Sequence, residues 1–362
     1  MEGRSAEILE ARALAEGSPV IDGDTATFVW RGRRPVLVNG DFHDWRGEPL
    51  GLEQVSPGLW ARTLRLPREA YVEYALFDSQ GRRVKDPLNR RLIDNGVGDF
   101  NHFFSMPEHK PTPLARRPRD KAARGRLSRH RVETSELAIG ATREVVLYEP
   151  PVAGPHPLVV VFDGTDYLRR ASLATLLDNL ILERRMQPVA LAMVANGGPA
   201  RTVEYTCSEA TLGLLVGKVL PLARQKLQLQ DERYNPGVHG VLGASLGGLM
   251  ALYTGLRLPQ IFGRVLSQSG AFAISDNEFA LEHYEFPVFD LARGASRRQL
   301  SVWMDCGVFE RLLDGNRRML PVLQEAGHRV HYWEYPGGHN YSAWRDDVWQ
   351  GLEWLYPPTF QL

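Results

Sequence analysis

This 362-residue sequence has little cysteine, no excess of either charge and no long apolar run. Its two cysteines, Cys207 and Cys306, cannot build a disulfide framework or a four-cysteine zinc site. Forty-three basic residues balance forty-three acidic ones, which leaves no bulk positive charge for nucleic acid or a membrane surface. No stretch approaches the roughly 18 apolar residues that span a bilayer. We therefore expect neither a nucleic-acid partner nor a membrane partner.

Signals for export and for bound cofactors are absent as well. The first residues, Met1-Glu2-Gly3-Arg4-Ser5-Ala6-Glu7, carry acids where a signal peptide would carry lysines, and no apolar core follows them. On that ground we expect a cytoplasmic protein. The sequence contains no H-E-x-x-H spacing, no P-loop and no dinucleotide-binding fingerprint, so we expect neither a resident metal nor another cofactor.

After a short charged helix at about residues 6–15, the first third of the chain has the composition of a β domain. Four short segments are rich in β-branched and aromatic residues and are separated by Gly, Pro, Asp or Asn, which is typical of strands. They span residues 25–30, 35–39, 59–64 and 71–77. Their length and spacing predict a β-sandwich of about 80–90 residues. We place it in an amino-terminal domain of residues 1–107.

A change of texture marks the remainder of the chain. Residues 108–131 are rich in proline and arginine and hold few large apolar side chains, so we expect a solvated linker there. In residues 132–362 mostly apolar strands alternate with helices, which predicts an α/β domain with a mostly parallel sheet. The predicted strands are 144–148, 157–162, 188–194, 237–242, 300–304 and 329–334, and the predicted helices are 173–183, 209–227, 247–258, 313–326 and 344–355.

The sequence Gly243-Ala244-Ser245-Leu246-Gly247 carries the sharpest chemical signal. It follows the predicted strand that ends at Leu242 and precedes a predicted helix, which is the setting of a nucleophile elbow. In such a turn the serine hydroxyl projects from the sheet, and the two flanking glycines keep side chains from colliding. We therefore predict that Ser245 is a nucleophile; an ordinary glycine-rich turn is the alternative.

A serine nucleophile needs a base and an acid, which α/β-hydrolases place in the order serine, acid, histidine. His339 follows the last predicted strand and fits the base, since imidazole exchanges protons near neutral pH. The acid should follow the strand at 300–304, where Glu310 is preferred and Asp305 stays open. Asp314 is better explained as a residue of the next helix's first turn.

The oxyanion hole of such a hydrolase uses two backbone N–H groups. One belongs to the residue after the nucleophile, Leu246. The second comes from the loop after the strand at 157–162, where Asp163-Gly164-Thr165-Asp166 indicates the N–H of Thr165. Each such donor contributes roughly 2.7–4 kcal/mol to stabilising the transition state.

Taken together, these motifs resemble the enterochelin esterase family, the ferric-siderophore esterases, within the wider esterase group of α/β-hydrolases that includes mycolyltransferases and feruloyl esterases. The matching stretches follow the family's order: Val161–Asp166, Arg201–Tyr205, Gly243–Gly248, Cys306–Glu310, Asn316–Arg317, Gly337–Asn340 and Trp344–Arg345. The resemblance implies Ser245 as nucleophile, Glu310 as acid and His339 as base. It also implies a set of substrate-binding residues: Asp163, Arg201, Glu204 and Trp344.

The resemblance leaves three points open. An ordinary ion pair between Arg201 and Glu204 is as good an explanation as a substrate contact. Family members often carry Asp where this chain has Asn340. Trp30, Val36–Trp45 and Lys85–Asn89 resemble the immunoglobulin-like domain that precedes the hydrolase in these esterases. That domain is also similar to glycogen-binding modules, in which Trp45 would be the exposed aromatic residue.

Three functions compete on these grounds. The first is hydrolysis of a carboxylic ester of a catecholate siderophore, in which any iron arrives with the substrate. The second is an acetyl or feruloyl carbohydrate esterase whose amino-terminal domain binds glycan. A non-enzymatic binding protein is disfavoured, because all three triad positions hold competent residues. The expected partner is a small-molecule ester, and a homodimer stays open.

Overall fold

The structure is a computed structural model, and it describes residues 2–276, 281–294 and 298–358. The chain divides into two compact units. The amino-terminal unit comprises Met1–Pro111 with two later segments, Gly307–Glu310 and Pro336–Ala343. The carboxyl-terminal unit comprises Thr112–Cys306, Arg311–Tyr335 and Trp344–Leu362.

Two antiparallel sheets and one helix make up most of the amino-terminal unit. The elements are α1 (Glu2–Glu16), β1 (Val20–Asp22), β2 (Thr25–Arg31), β3 (Leu37–Gly40), β4 (Leu50–Gly51), β5 (Glu53–Ser56), β6 (Leu59–Arg65), β7 (Tyr71–Phe77), β8 (Arg83–Val84), β9 (Leu92–Asp94) and β10 (Phe100–Ser105). One sheet has the order β1-β2-β6-β5 and the other β4-β3-β7-β10-β9, with β8 paired to β7. The four strands predicted in this region are confirmed.

Both sheets contribute to one hydrophobic core. On β2, Ala26 and Phe28 are buried while Thr25 and Thr27 are only partly covered, which is the alternation of a strand with one face against a core. Phe28 meets Tyr74 of β7 edge-on at 5.0 Å between ring centroids, and it meets Phe104 of β10 at 5.8 Å. Such edge-to-face contacts stabilise aromatic pairs beyond their buried area.

Along the rest of the chain, strands alternate with helices. The elements are β11 (Arg126–Glu133), β12 (Thr142–Glu149), β13 (Leu158–Val161), α2 (Gly164–Arg169), α3 (Leu173–Leu182), β14 (Ala190–Val194), α4 (Arg201–Tyr205), α5 (Glu209–Leu214), a π-helical turn (Leu215–Val219), α6 (Leu220–Lys226), β15 (His239–Ala244), α7 (Leu246–Arg257), β16 (Phe262–Gln268), β17 (Ala273–Asp276), β18 (Leu281–Glu285), α8 (Val288–Arg293), β19 (Ser301–Gly307), α9 (Leu313–Glu325), β20 (Arg329–Tyr335) and α10 (Tyr341–Leu355).

Eight of these strands form one mixed sheet in the order β11-β12-β14-β13-β15-β16-β19-β20. The pairings β11–β12 and β12–β14 are antiparallel, and the four pairings from β14 to β19 are parallel. Every residue of β13, β14 and β15 is buried. Their continuous apolar character follows from burial of the sheet on both faces. The chain is thus an α/β protein with mixed sheets.

Residues 112–125 are not a bare solvated connector, although composition predicted one. Leu114 is buried, and the amide of Asn179 on α3 donates to the carbonyls of Leu114 and Arg116, at 2.6 and 2.8 Å. The N–H of Gly125 donates to Asp178 at 2.8 Å, and β11 begins at the next residue. These contacts use backbone groups, which is why proline and arginine content did not reveal them.

Among the residues that the structure describes, no helix is both long enough and apolar enough to cross a membrane.

Candidate active site

Ser245 lies in the sharp turn between β15 and α7, as predicted. Its φ of 60° and ψ of −125° are rare for a residue with a side chain, and such strain persists only where the surroundings impose it. The Ser245 N–H donates to the carbonyl of Gln268 at 2.9 Å, and the Ser245 carbonyl accepts from the N–H of Ala271 at 3.1 Å. A Cβ added at Gly243 would collide with the carbonyl oxygen of Gly247. This is the backbone of a nucleophile elbow.

A buried polar network supports the end of β16 beside the elbow. The Gln268 side chain accepts from the Tyr167 hydroxyl at 3.0 Å and donates to Asp305 at 3.3 Å and to the carbonyl of Trp344 at 3.2 Å. Asp305 is fully buried and also accepts from the indole of Trp303 at 3.0 Å. Burial, and then the charge of Asp305, raise the pKa of Tyr167 well above its ordinary value. Asp305 thus supports Gln268, the residue whose carbonyl accepts the hydrogen bond from the Ser245 N–H.

His339 and Glu310 are brought together inside the amino-terminal unit. Glu310 follows β19, and His339 follows β20. The imidazole Nδ1 lies 2.5 Å from Glu310 Oε2, and the other carboxylate oxygen accepts from the N–H of Gly307 at 3.0 Å. The Glu310 carboxylate is buried, while the histidine side chain keeps 30% of its surface exposed. A buried carboxylate therefore contacts an accessible imidazole, and the residue that supplies it is Glu310 rather than Asp305.

Asp163 and Arg201 form an ion pair beside the predicted oxyanion loop. Arg201 donates through Nε to Oδ1 and through Nη2 to Oδ2 of Asp163, both at 2.7 Å. Asn196 donates to the same carboxylate at 2.7 Å, and the Tyr205 hydroxyl accepts from the Asp163 N–H at 3.1 Å. Asp163 is 2% exposed and Arg201 is 28% exposed. Asp163 is thus held as a structural anion, and Arg201 is the member of the pair that solvent reaches.

Glu204 and Trp344 are buried, which argues against the substrate contacts expected of them. Glu204 Oε1 accepts from Arg143 Nη2 at 2.6 Å and from the N–H of Ile139 at 3.0 Å. The expected pair between Arg201 and Glu204 is therefore replaced by two separate pairs. The Trp344 indole donates to Ser269 Oγ at 2.9 Å, and only 4% of the residue is exposed. Both residues are better explained as supports of the carboxyl-terminal unit.

The two predicted oxyanion donors, Leu246 and Thr165, occupy the first position of α7 and the second position of α2. Amide N–H groups in the first turn of a helix have no partner within the helix, so both are suited to a bound anion. Cys207 is a poor alternative nucleophile, because burial raises its pKa to about 11. In the described residues no group of three or more His, Cys, Asp and Glu could hold a metal ion.

Sequence reasoning missed several supporting residues, chiefly Gln268, Tyr167 and Asn196. Gln268 ends β16, a strand that was not predicted although it contains the apolar run Val265–Leu266. Recognising that strand would have placed Gln268 at the same sheet edge as the elbow. Tyr167 and Asn196 lie in positions that carry no spacing signal, and only the folded structure reveals them.

The family of the chain follows from comparison with known proteins. The sequence model of the family described as "Putative esterase" matches residues 137–355, more than half of the chain. The chain belongs to this family. It is therefore a carboxylic ester hydrolase, and the resemblance to enterochelin esterases that its motifs predicted is confirmed.

Individual relatives agree with this family. The chain is 29% identical to the iron(III) enterobactin esterase of Dickeya dadantii, over 86% of this chain and 74% of that one. It is 25% identical to the iron(III) salmochelin esterase of Escherichia coli, over 96% of this chain and 91% of that one. The crystal structure of the Shigella flexneri enterobactin esterase, obtained in the presence of enterobactin, matches with a TM-score of 0.75 at 20% identity, over 93% of this chain and 94% of that one. At that identity the structural match establishes the fold alone.

Proposed function

We propose that this chain is a serine esterase in which Ser245 is the nucleophile, His339 the general base and Glu310 the acid. The observation that carries the proposal is the 2.5 Å contact between His339 Nδ1 and Glu310 Oε2. It engages Nδ1, the nitrogen that the acid of a triad must hold, and Nε2 is the nitrogen that accepts the serine proton in such a triad. The strained turn at Ser245 and the order serine, acid, histidine along the chain support the same assignment.

The reaction follows from these assignments. Ser245 Oγ attacks the ester carbonyl carbon while His339 Nε2 takes the hydroxyl proton, and the N–H groups of Leu246 and Thr165 stabilise the oxyanion. The tetrahedral intermediate expels the alcohol, which takes the proton from His339, and an acyl-enzyme remains. Water then attacks the acyl group with the same imidazole as base, and the carboxylic acid is released. Glu310 holds the imidazole tautomer and stabilises the imidazolium throughout.

For the substrate we propose the ester linkages of a catecholate siderophore, such as a serine trilactone. Support comes from the relatives that match most of the chain, since they are esterases of enterobactin and salmochelin. Arg201, partly exposed beside the oxyanion loop, supplies a positive charge suited to an anionic catecholate. Iron is cargo of the substrate, and ester cleavage lowers the affinity of the chelate for it.

The experiment is hydrolysis of ferric enterobactin by the purified full-length protein, with products separated by liquid chromatography. We expect linear catecholate-serine products from the wild type. Ser245→Ala should lower kcat by at least about 10⁴-fold, because it removes the nucleophile. The matched control is Ser128→Ala on β11, a serine whose hydroxyl bonds His130. Turnover of a p-nitrophenyl ester by Ser245→Ala at the wild-type rate would refute the triad, and esterase activity without siderophore cleavage would refute the substrate.

A carbohydrate esterase has less support. Its glycan contact was expected from Trp45, but the Trp45 indole donates to Asp41 at 2.9 Å and the residue is half-buried. An aromatic platform for a sugar needs an open ring face, so this placement gives that function no advantage. Retention of the full-length protein on glucan or xylan would restore the carbohydrate-esterase hypothesis.

We further propose that residues 1–107 form an immunoglobulin-like β-sandwich, joined through residues 108–131 to an α/β-hydrolase domain of residues 132–362. Residues 126–131 of the joining segment already belong to β11. Two antiparallel sheets with one shared core support the first part. Parallel pairings from β14 to β19 support the second part. Cytoplasmic location and a homodimer stay predictions.

A further inference from the structure

Asp41 is a buried carboxyl group of the amino-terminal unit that the proposed reaction does not use. It follows β3 and is only 1% exposed. Three donors converge on its two oxygens: the Trp45 indole on Oδ1 at 2.9 Å, and the N–H of Glu73 and the amide of Asn340 on Oδ2 at 2.7 and 3.0 Å. Burial, followed by the charge of Glu73, raises the pKa of Asp41 well above its ordinary value, and the hydrogen bonds from Glu73 and Trp45 oppose that shift.

One of those donors belongs to the segment that carries the proposed base. Asn340 is the next residue after His339, and its side-chain oxygen accepts from the N–H of Ala343 at 2.9 Å, at the start of α10. Two residues before Asn340, a Cβ at Gly338 would collide with the Asp41 carboxyl group. Asp41 therefore contacts the residues on both sides of His339.

The acid is held to the same unit through its own neighbour. The N–H of Phe309 donates to the carbonyl of Gly337 at 3.3 Å, and the Phe309 side chain packs against the core formed by both sheets. The charge of Glu310 also contributes to the environment of Asp41. Acid, base and Asp41 thus form one connected cluster within the amino-terminal unit.

We propose that Asp41 is a positioning residue for the base, which it holds in register with Glu310 through the amide of Asn340 and through close contact with Gly338. This inference rests on the proposed function. It also accounts for the amide at position 340. A carboxylate there would face the Asp41 carboxylate, whereas an amide donates to Oδ2 and accepts from Ala343 at the same time.

The test is a set of three variants: Asp41→Asn, Asn340→Asp and the double exchange. In Asn340→Asp two carboxylates face each other, and in Asp41→Asn the new NH2 group must face one of the three donors from which the carboxylate accepts. The double variant restores one amide and one carboxylate in the reverse orientation, although the N–H of Glu73 loses its acceptor. For Asp41→Asn we expect kcat on a p-nitrophenyl ester to fall about 10- to 100-fold with KM within about two-fold, because misplacement of the base affects the transition state more than substrate binding. The kcat of the double variant should be at least about three-fold higher than that of the less active single variant.

Asp86→Asn is the matched control. Asp86 is a buried carboxyl of the same unit whose partners are the Tyr74 hydroxyl at 2.7 Å and the N–H of Leu88 at 2.9 Å. We expect it to lower the melting temperature without the loss of kcat. Wild-type kcat in Asp41→Asn, or an equal loss in Asp86→Asn, would overturn the proposal. So would a double variant no better than the weaker single one.

A spectroscopic readout separates this inference from the proposed function. The proton between His339 Nδ1 and Glu310 should give a low-field ¹H NMR signal that is lost in His339→Gln. That signal should shift or broaden in Asp41→Asn and stay in Asp86→Asn, whatever ester the enzyme cleaves. If the wild type cleaves no ester, or if Ser245→Ala keeps full turnover, the proposed function fails while the spectrum still tests the position of the imidazole. An unchanged spectrum in Asp41→Asn would overturn the inference.

Discussion

The serine and the histidine of this esterase are held by different means. Ser245 is positioned by the backbone. It stands between the last residue of β15 and the first residue of α7, its N–H and carbonyl groups both form main-chain hydrogen bonds, and Gly243 has no room for a side chain. His339 is positioned by side chains, with a carboxylate on its ring and a second carboxylate on the amide of the next residue. Backbone geometry of this kind is visible in the sequence as a short local motif. Side-chain contacts are not visible in that way, because they join residues far apart in the sequence.

That difference predicts different responses to substitution. The serine side should suffer most from added volume, since its parts are packed main chain. The histidine side should suffer most from isosteric changes of charge, since its parts are hydrogen-bonded carboxyl groups.

The largest effect is expected at the acid. Glu310→Gln keeps the shape of the side chain but lets an amide face Nδ1, which favours the wrong imidazole tautomer, and kcat should fall about 10³- to 10⁴-fold. Steady-state kinetics on a p-nitrophenyl ester measure it. The matched change is Asp305→Asn, which alters a fully buried acid in the network beneath the elbow and should keep kcat within about ten-fold while lowering stability. The opposite ranking of the two variants would move the acid to Asp305.

An intermediate effect is expected at the elbow. In Gly243→Ala the new Cβ meets the Gly247 carbonyl, so the turn must shift, and we expect kcat to fall about 100-fold. The free energy of unfolding should fall by about 1–3 kcal/mol. Gly217→Ala is the control, because a Cβ there meets open space. Full activity in Gly243→Ala would show that the serine tolerates a displaced backbone and would remove the contrast between the two sides.

The smallest effect on activity is expected from His239, the first residue of the elbow strand, which instead makes stability depend on pH. Its Nδ1 accepts from the N–H of Leu158 at 3.0 Å, and burial lowers its pKa to about 4. The unfolded chain therefore takes up this proton first, and the free energy of unfolding should decrease by about 1.4 kcal/mol per unit as pH falls from about 6.5 towards 4. Denaturation of the wild type and of His239→Asn, which keeps an acceptor but cannot become charged, measures the contribution. Identical slopes in the two proteins would assign the acid sensitivity to other groups.

Sequence alone predicted most of the secondary structure because period and composition are local. The strands from Leu158 to Val161 and from His239 to Ala244 fall where apolar runs ended at glycine or aspartate, and α7 begins one residue after Ser245. It missed β11, because the arginines of this strand resemble a solvated segment. In the sheet β11 pairs antiparallel with β12, and two of its arginines meet glutamates of that strand: Arg126 with Glu149 at 2.6 Å and Arg129 with Glu144 at 2.9 Å.

The site was predictable to the extent that its chemistry follows sequence order. Ser245, Glu310 and His339 were selected by their places after successive strands, and the contact between the last two agrees with that choice. The partners of Glu204 and Asp163 were not predictable, because Arg143 and Asn196 approach them from distant segments. The part played by Asp41 was hidden for the same reason, because it lies 299 positions from Asn340 in the sequence.

Two short excursions, Gly307–Glu310 and Pro336–Ala343, carry the proposed acid and base into the fold of the first 111 residues. The polypeptide is therefore interleaved rather than modular. A fragment beginning at Thr112 would retain the nucleophile and its strands, yet Phe309 would lose the core it packs against and Asn340 its acceptor. Recombination that exchanged the first 111 residues for an unrelated β domain would meet the same obstacle. The two units are therefore expected to evolve together.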